Sequence, residues 1–112
     1  MHYSRDRLTP RAPVPGFNGR FIHSENMTFA WWTIDAGAEI PRHAHPHEQV
    51  VNVLEGRLEL VVGDETHLLG PGEVVVIPGE IPHSARGITE CRVLDVFAPV
   101  REDYRVLSDA EG

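Results

Sequence analysis

Apolar residues recur at alternate positions through most of this chain, the period of a strand with one face buried. Leu58, Leu60 and Val62 alternate with Arg57, Glu59 and Val61. Gln49, Val51 and Val53 fall on one face of the preceding run. The stretch 27–35 is rich in aromatic and β-branched residues, which favour strands. Met27, Phe29 and Trp31 share one of its faces, and Ala30, Trp32 and Ile34 the other. One face can line a barrel while the other meets a second subunit, or both can serve a sheet-on-sheet core. Val74 to Ile77 is a continuous apolar run, as in a strand buried on both sides. The pattern predicts strands over 20–23, 27–35, 49–55, 57–62, 65–69, 74–77 and 91–98.

Between these runs stand turn residues: Gly37, Glu55-Gly56, Gly63-Asp64 and Gly70-Pro71-Gly72. Short strands separated by Gly/Pro turns at roughly ten-residue intervals indicate an all-β sandwich or barrel. No stretch carries a sustained helical period, and only 101–105 suggests a helical turn. Residues 1–19 hold Pro10, Pro13 and Pro15, which favour an extended arm over a helix. The organisation expected is therefore an arm over 1–19, a barrel over 20–100 and a tail over 101–112.

Composition narrows the function. A chain of 112 residues is one domain with a single core. The net charge is -7, and the 10 basic residues, all arginine, form no run. That argues against a nucleic-acid surface, which needs clustered cations. Cys91 is the only cysteine, so no internal disulfide can form. Its place in an apolar strand marks it as a core thiol. The N-terminal residues show no signal peptide, and no apolar run is long enough to span a membrane. The expected location is the cytoplasm.

The candidate chemistry lies between Gly37 and Gly56 and between Gly72 and His83. His43 and His45, two apart on extended chain, point the same way. His47 follows them, although Pro46 interrupts the ladder. Gln49 points its amide inward with Val51 and Val53. Imidazoles suit Zn, Cu, Fe and Ni, and an oxygen ligand extends the choice to Mn.

These two segments resemble the two motifs of the cupins. Gly37, His43, His45 and Gly56 stand in register with the first, and Gln49 takes the slot of its glutamate. Gly72, Pro78 and His83 fit the second; its glycine falls one place early, at Gly79, and Gly87 replaces its asparagine. The likeness covers roughly residues 20–100. It implies a double-stranded β-helix (a jelly-roll barrel), a homodimer, and one divalent transition metal ion (Ni, Zn, Mn, Fe or Cu) held by His43, His45, Gln49 and His83. Glu48 and His47 compete for the place of Gln49. With Gln49 all four ligands are neutral, which favours Lewis-acid work on anions over oxygen chemistry.

A second constellation closes the chain. Asp95 shares its strand face with Val93 and Phe97. A carboxylate there is costly unless it is paired, with Arg92, Arg101 or a backbone group, or does chemistry. The segment Asp95-Val96-Phe97-Ala98-Pro99-Val100-Arg101, followed by Glu102-Asp103-Tyr104, resembles the tail of small cupins that open 4,5-unsaturated uronates into linear keto-uronates. Those enzymes also share the His43-to-Gln49 pattern. By that resemblance Asp95, Phe97 and Arg101 are the catalytic residues, with Arg101 clamping a substrate carboxylate bidentately. The expected function is a metal-dependent, isomerase-like enzyme for a small anionic sugar acid. A metal-dependent dioxygenase or oxidoreductase and a non-catalytic metal- or sugar-binding module are the rival readings.

Overall fold

The computed structural model describes residues 1–108. The chain opens with a 3-10 turn at Arg5–Arg7, followed by β1 (Arg11–Val14), β2 (Phe17–His23) and β3 (Thr28–Ile34). Next come β4 (Glu39–His43), β5 (Glu48–Glu55), β6 (Leu58–Val62) and β7 (Glu65–Leu69). The last elements are β8 (Val74–Ile77), β9 (His83–Gly87), β10 (Cys91–Ala98) and a helix, α1 (Glu102–Ser108). The strands form a six-stranded sheet, β1-β2-β3-β10-β5-β8, and a four-stranded sheet, β4-β9-β6-β7. Neighbouring strands within both are antiparallel. This is the all-β class that the alternating pattern implies, in the jelly-roll form that the cupin resemblance implies.

β10 is central. It pairs with β3 on one side and β5 on the other. Its odd-numbered residues Cys91, Val93, Asp95 and Phe97 are buried, and the even-numbered ones are at least partly exposed. Register carries that inward face across the sheet. Val93 lies opposite Trp32 and Val53, and Asp95 opposite Ala30 and Val51. In β3 the buried residues are Thr28, Ala30, Trp32 and Ile34. The interior therefore takes the Trp32 face, while Phe29 and Trp31 are half-exposed on the outside. Phe17, Phe21, Leu58, Leu60 and Ile77 complete the core. Cys91 is buried within it, as a core thiol should be.

Three elements were not visible in the pattern. β9 and β4 form the edge of the smaller sheet next to the histidines. In β9 only the end residues, His83 and Gly87, are buried, so no hydrophobic period marks it. Its ladders to β4 and β6 hold it instead. β1 and the start of β2 occupy part of the segment read as an arm. Pro13 is tolerated because β1 is the edge of its sheet. At the other end, α1 is longer than the single turn suggested by 101–105 and docks on β2. Residues 109–112 of the expected tail lie outside the described residues. Among the described residues, no helix is long and apolar enough to cross a membrane.

Tyr104 anchors α1. Its ring stacks on Phe21 at 4.8 Å and meets Trp32 and Phe97 edge-on, both at 5.7 Å. Aromatic pairs of this kind add about 0.5–1.5 kcal/mol each beyond area burial.

Candidate functional site

His43 ends β4, and His45 sits in the loop that follows, so the two do not share one strand as their spacing suggested. The ladder brings in the third: His43 is the register partner of His83, the first residue of β9. The ring centroids of His43 and His83 are 4.4 Å apart, and those of His45 and His83 4.9 Å apart. One ligand-capable atom from each of the three lies within 4.8 Å of the others.

Each ring is oriented by the same local device. The Nδ1 of His43 is 2.8 Å from the carbonyl of Pro41, and that of His83 is 2.8 Å from the carbonyl of Ile81. The Nδ1 of His45 is 3.1 Å from the carbonyl of His47. A carbonyl only accepts, so the Nδ1 of His43 and of His83 carries the proton, and Nε2 presents its lone pair to the centre. This is the arrangement that fixes the tautomer of metal-binding histidines. Gln49 extends inward from β5, with its Oε1 3.2 Å from Nε2 of His45. The competing Glu48 is exposed. His47 is half-buried and stacks edge-on against His45 and Phe97.

The loop carrying His45 is clamped from the second motif. The backbone N–H of Glu80 donates to the carbonyl of His45 at 2.7 Å, and Glu80 adopts a φ of 68° to do so. Beside it, a Cβ at Gly79 would collide with the carbonyl oxygen of Pro46. The glycine that falls one place early in the motif is therefore the one that lets the two site loops touch.

Across the chamber, Asp95 projects from β10 at 8% exposure. The Trp32 Nε1–H donates to its Oδ2 at 3.0 Å. Among the described residues Oδ1 makes no regular hydrogen bond, but the side-chain amide of Gln49 is close enough to favour the charged carboxylate. Burial pushes the carboxyl up to about 7, against the opposing influence of Gln49, Trp32 and the Arg101 charge. Burial likewise pushes His83 down to about 4 and lowers His45, where the Arg101 charge is the next cause. The site thus favours neutral imidazoles, the form that binds metals.

Arg101 is nearly buried, with its guanidinium carbon 4.7 Å from the Phe97 ring centre and 4.1 Å from that of Tyr104. The carboxylate on its fork is that of Asp103: Nε donates to Oδ1 at 3.0 Å and Nη2 to Oδ2 at 2.7 Å. The bidentate edge expected to clamp a ligand is thus taken by the chain's own Asp103. His43, Gln49, His83, Asp95, Phe97 and Arg101 all line one cavity of about 40 Å³. That is space for an ion's coordinating water, so a larger molecule would meet these groups from the solvent side.

Sequence reasoning missed Trp32, Asp103 and Tyr104 as parts of this site. Trp32 was visible only as an apolar strand residue. Its role depends on β3–β10 register, which sets it diagonal to Asp95.

The family model described as Cupin domain matches residues 30–97. An uncharacterized protein of Streptomyces coelicolor is 34% identical over 90 residues, covering 80% of this chain and 86% of that protein. KdgF from Halomonas sp. has a structure similar at a TM-score of 0.87 and 25% identity, covering 93% of this chain and 97% of its own. An RmlC-like cupin from Shewanella frigidimarina is similar at a TM-score of 0.87 and 27% identity, covering 93% and 96%.

Proposed function

This chain belongs to the cupin family, and we propose that it is a metal-dependent enzyme opening the ring of a small unsaturated sugar acid. The observation that carries this reading is the meeting, around one chamber, of three histidines, each with Nδ1 on a backbone carbonyl, and a buried carboxyl held by the Trp32 indole. The likeness of residues 95–104 to the uronate-opening cupins supplies the substrate class.

His43, His45, His83 and Gln49 would hold one divalent ion. Their donor set fits it, being three neutral nitrogens and one amide oxygen. Bound there, the ion would supply Lewis-acid polarisation of a substrate oxygen. Ring opening breaks the bond between the anomeric carbon and the ring oxygen, moves a proton off the anomeric hydroxyl and adds one to the alkene carbon. One group that both accepts and gives a proton suffices. Asp95, held near pH 7, is matched to that work, and its Oδ1 is the available atom. Arg101 would attract the substrate carboxylate. Phe97 would support the guanidinium through its ring face.

The test starts with elemental analysis. About one equivalent of divalent metal in the purified protein is expected, with loss of ultraviolet absorbance from a 4,5-unsaturated galacturonate. Metal without turnover on any unsaturated uronate would remove the reading.

The partner proposed is a second copy. The outer face of the larger sheet exposes Val74 at 53%, Val76 at 55% and Leu54 at 43%, beside the half-exposed Phe29 and Trp31. Apolar patches of this kind mark association surfaces. Sedimentation should give twice the chain mass of 12.5 kDa, and a monomer would refute it.

A further inference from the structure

The Arg101–Asp103 clasp does more than tie down the start of α1. A guanidinium carries five N–H donors, arranged as a side edge (Nε with Nη2) and an end edge (Nη1 with Nη2). Asp103 takes the side edge with both oxygens. The Asp103 side chain is 60% exposed and that of Arg101 only 11%. Arg101 lines the cavity and Asp103 does not. The clasp is therefore on the solvent side of the guanidinium, and the donors it leaves over serve the Tyr104 side chain and the chamber.

A second carboxylate is within electrical reach of the same arginine. Asp95 lines the same cavity and feels the Arg101 charge, and among the described residues its Oδ1 makes no regular hydrogen bond. A buried acceptor without a partner is a strong attractor for an uncommitted guanidinium, since buried charges are stable only when paired. Were Arg101 to take Asp95, the end edge would be spent and the Oδ1 blocked.

We propose that Asp103 is a positioning residue: it holds Arg101 by the Nε/Nη2 edge, keeps the guanidinium off Asp95, and presents the end edge to a ligand carboxylate. This rests on the sugar-acid reading of the site for its ligand, but the clasp itself can be tested without one. The effect on anion binding runs against simple charge counting. Removing Asp103 deletes a negative charge, which alone would favour an anion. That charge is mostly exposed and screened, however, so the lost geometry dominates.

The experiment compares the parent with Asp103→Asn, Asp103→Glu and Arg101→Ala, all metal-loaded. The first readout is the Arg101 Nε–H resonance in a nitrogen-15 spectrum. In the parent it is expected to be slowly exchanging and shifted by its carboxylate partner. In Asp103→Asn it should move and exchange faster, and Asp103→Glu should recover it. The same resonance in parent and Asp103→Asn overturns the proposal. The second readout is calorimetric binding of D-galacturonate, with D-galactose as the uncharged control. Asp103→Asn should weaken galacturonate about tenfold, the loss of one charge-assisted contact, and leave galactose unchanged; Asp103→Glu should restore most of it. Equal galacturonate affinity in parent and Asp103→Asn overturns the proposal and leaves the sugar-acid reading standing. If the parent does not prefer galacturonate over galactose, the sugar-acid reading falls, and the Nε–H resonance alone decides the clasp.

Discussion

His43, His45 and His83 are each oriented by a backbone carbonyl two residues away, whereas Asp95 is oriented by an indole 63 residues away. The histidine corner is thus assembled from local chain geometry plus one register, that of β4 on β9. The acid corner depends on three separate segments: β3 for Trp32, β10 for Asp95 and Phe97, and the turn into α1 for Arg101. The electrostatics differ as well. Burial favours the neutral form in both corners, but neutrality means a deprotonated base in one and a protonated acid in the other. One corner is suited to hold a cation and the other to exchange a proton.

The largest expected effect separates the corners by substitution. His83→Ala removes one of the three imidazoles proposed as ligands and should take metal content from about one equivalent to nearly none, with activity lost alongside. Asp95→Asn keeps shape and burial but cannot carry a proton. It should retain the metal and lose turnover by about 10²- to 10⁴-fold, the usual contribution of a general acid or base. Elemental analysis and the ultraviolet assay check both. Loss of metal in Asp95→Asn would show that the two corners are one structural unit.

A smaller effect follows from pH in the metal-free protein. The folded-state pKa of His83 is depressed to about 4, so its contribution to stability is complete above its ordinary 6.5 and is lost as pH falls towards 4. Asp95 is raised to about 7, so its contribution is complete below its ordinary 3.8 and is lost as pH rises through 7. Between about pH 4 and 6.5 the slopes oppose, each on the order of a few kcal/mol across the window. Urea denaturation should therefore place the slope of the parent between those of the two variants. Asp95→Asn should grow more stable with rising pH, and His83→Ala less stable. His23 and His45, also lowered by burial, are present in all three proteins, so only the differences carry the test. Parallel slopes in all three would break the contrast.

What the sequence revealed divides along the same line. Alternation in 57–62 and 91–98, with Gly/Pro turns between strands, exposes most of the barrel because burial on one face leaves a period of two. His43, His45 and His83 were legible through their fit to the cupin motifs rather than through strand period, since His45 lies in a loop and His83 meets His43 by the β4–β9 register. Residues 83–87 carry almost no apolar signal, and their strand exists through pairing alone. The neighbours of Asp95 and Arg101 were hidden for a similar reason. Arg92 and Arg101 were open as partners for Asp95, yet Arg92 points out of the sheet beside Glu55 and Arg101 holds Asp103. The hydrogen bond to Asp95 comes instead from Trp32, a residue whose polar N–H is invisible in a hydrophobic pattern.

Trp32→Phe gives the smallest and sharpest comparison, because it reaches the acid corner without touching a histidine. The substitution removes the N–H that holds Oδ2 of Asp95. It also trims a ring that packs against Phe17, Phe21 and Tyr104, so part of the cost is a cavity rather than a hydrogen bond. A double-mutant cycle with Asp95→Asn separates the two, since the cavity term is common to both backgrounds. The coupling between indole and carboxyl should be about 1 kcal/mol in urea denaturation. The indole N–H favours the charged carboxylate. Its loss should therefore move the pH dependence of turnover upward and lower kcat by about tenfold. Metal content should not change. A coupling of zero with an unmoved pH profile would mean that the indole merely fills space and that Asp95 is set by burial, Gln49 and the Arg101 charge.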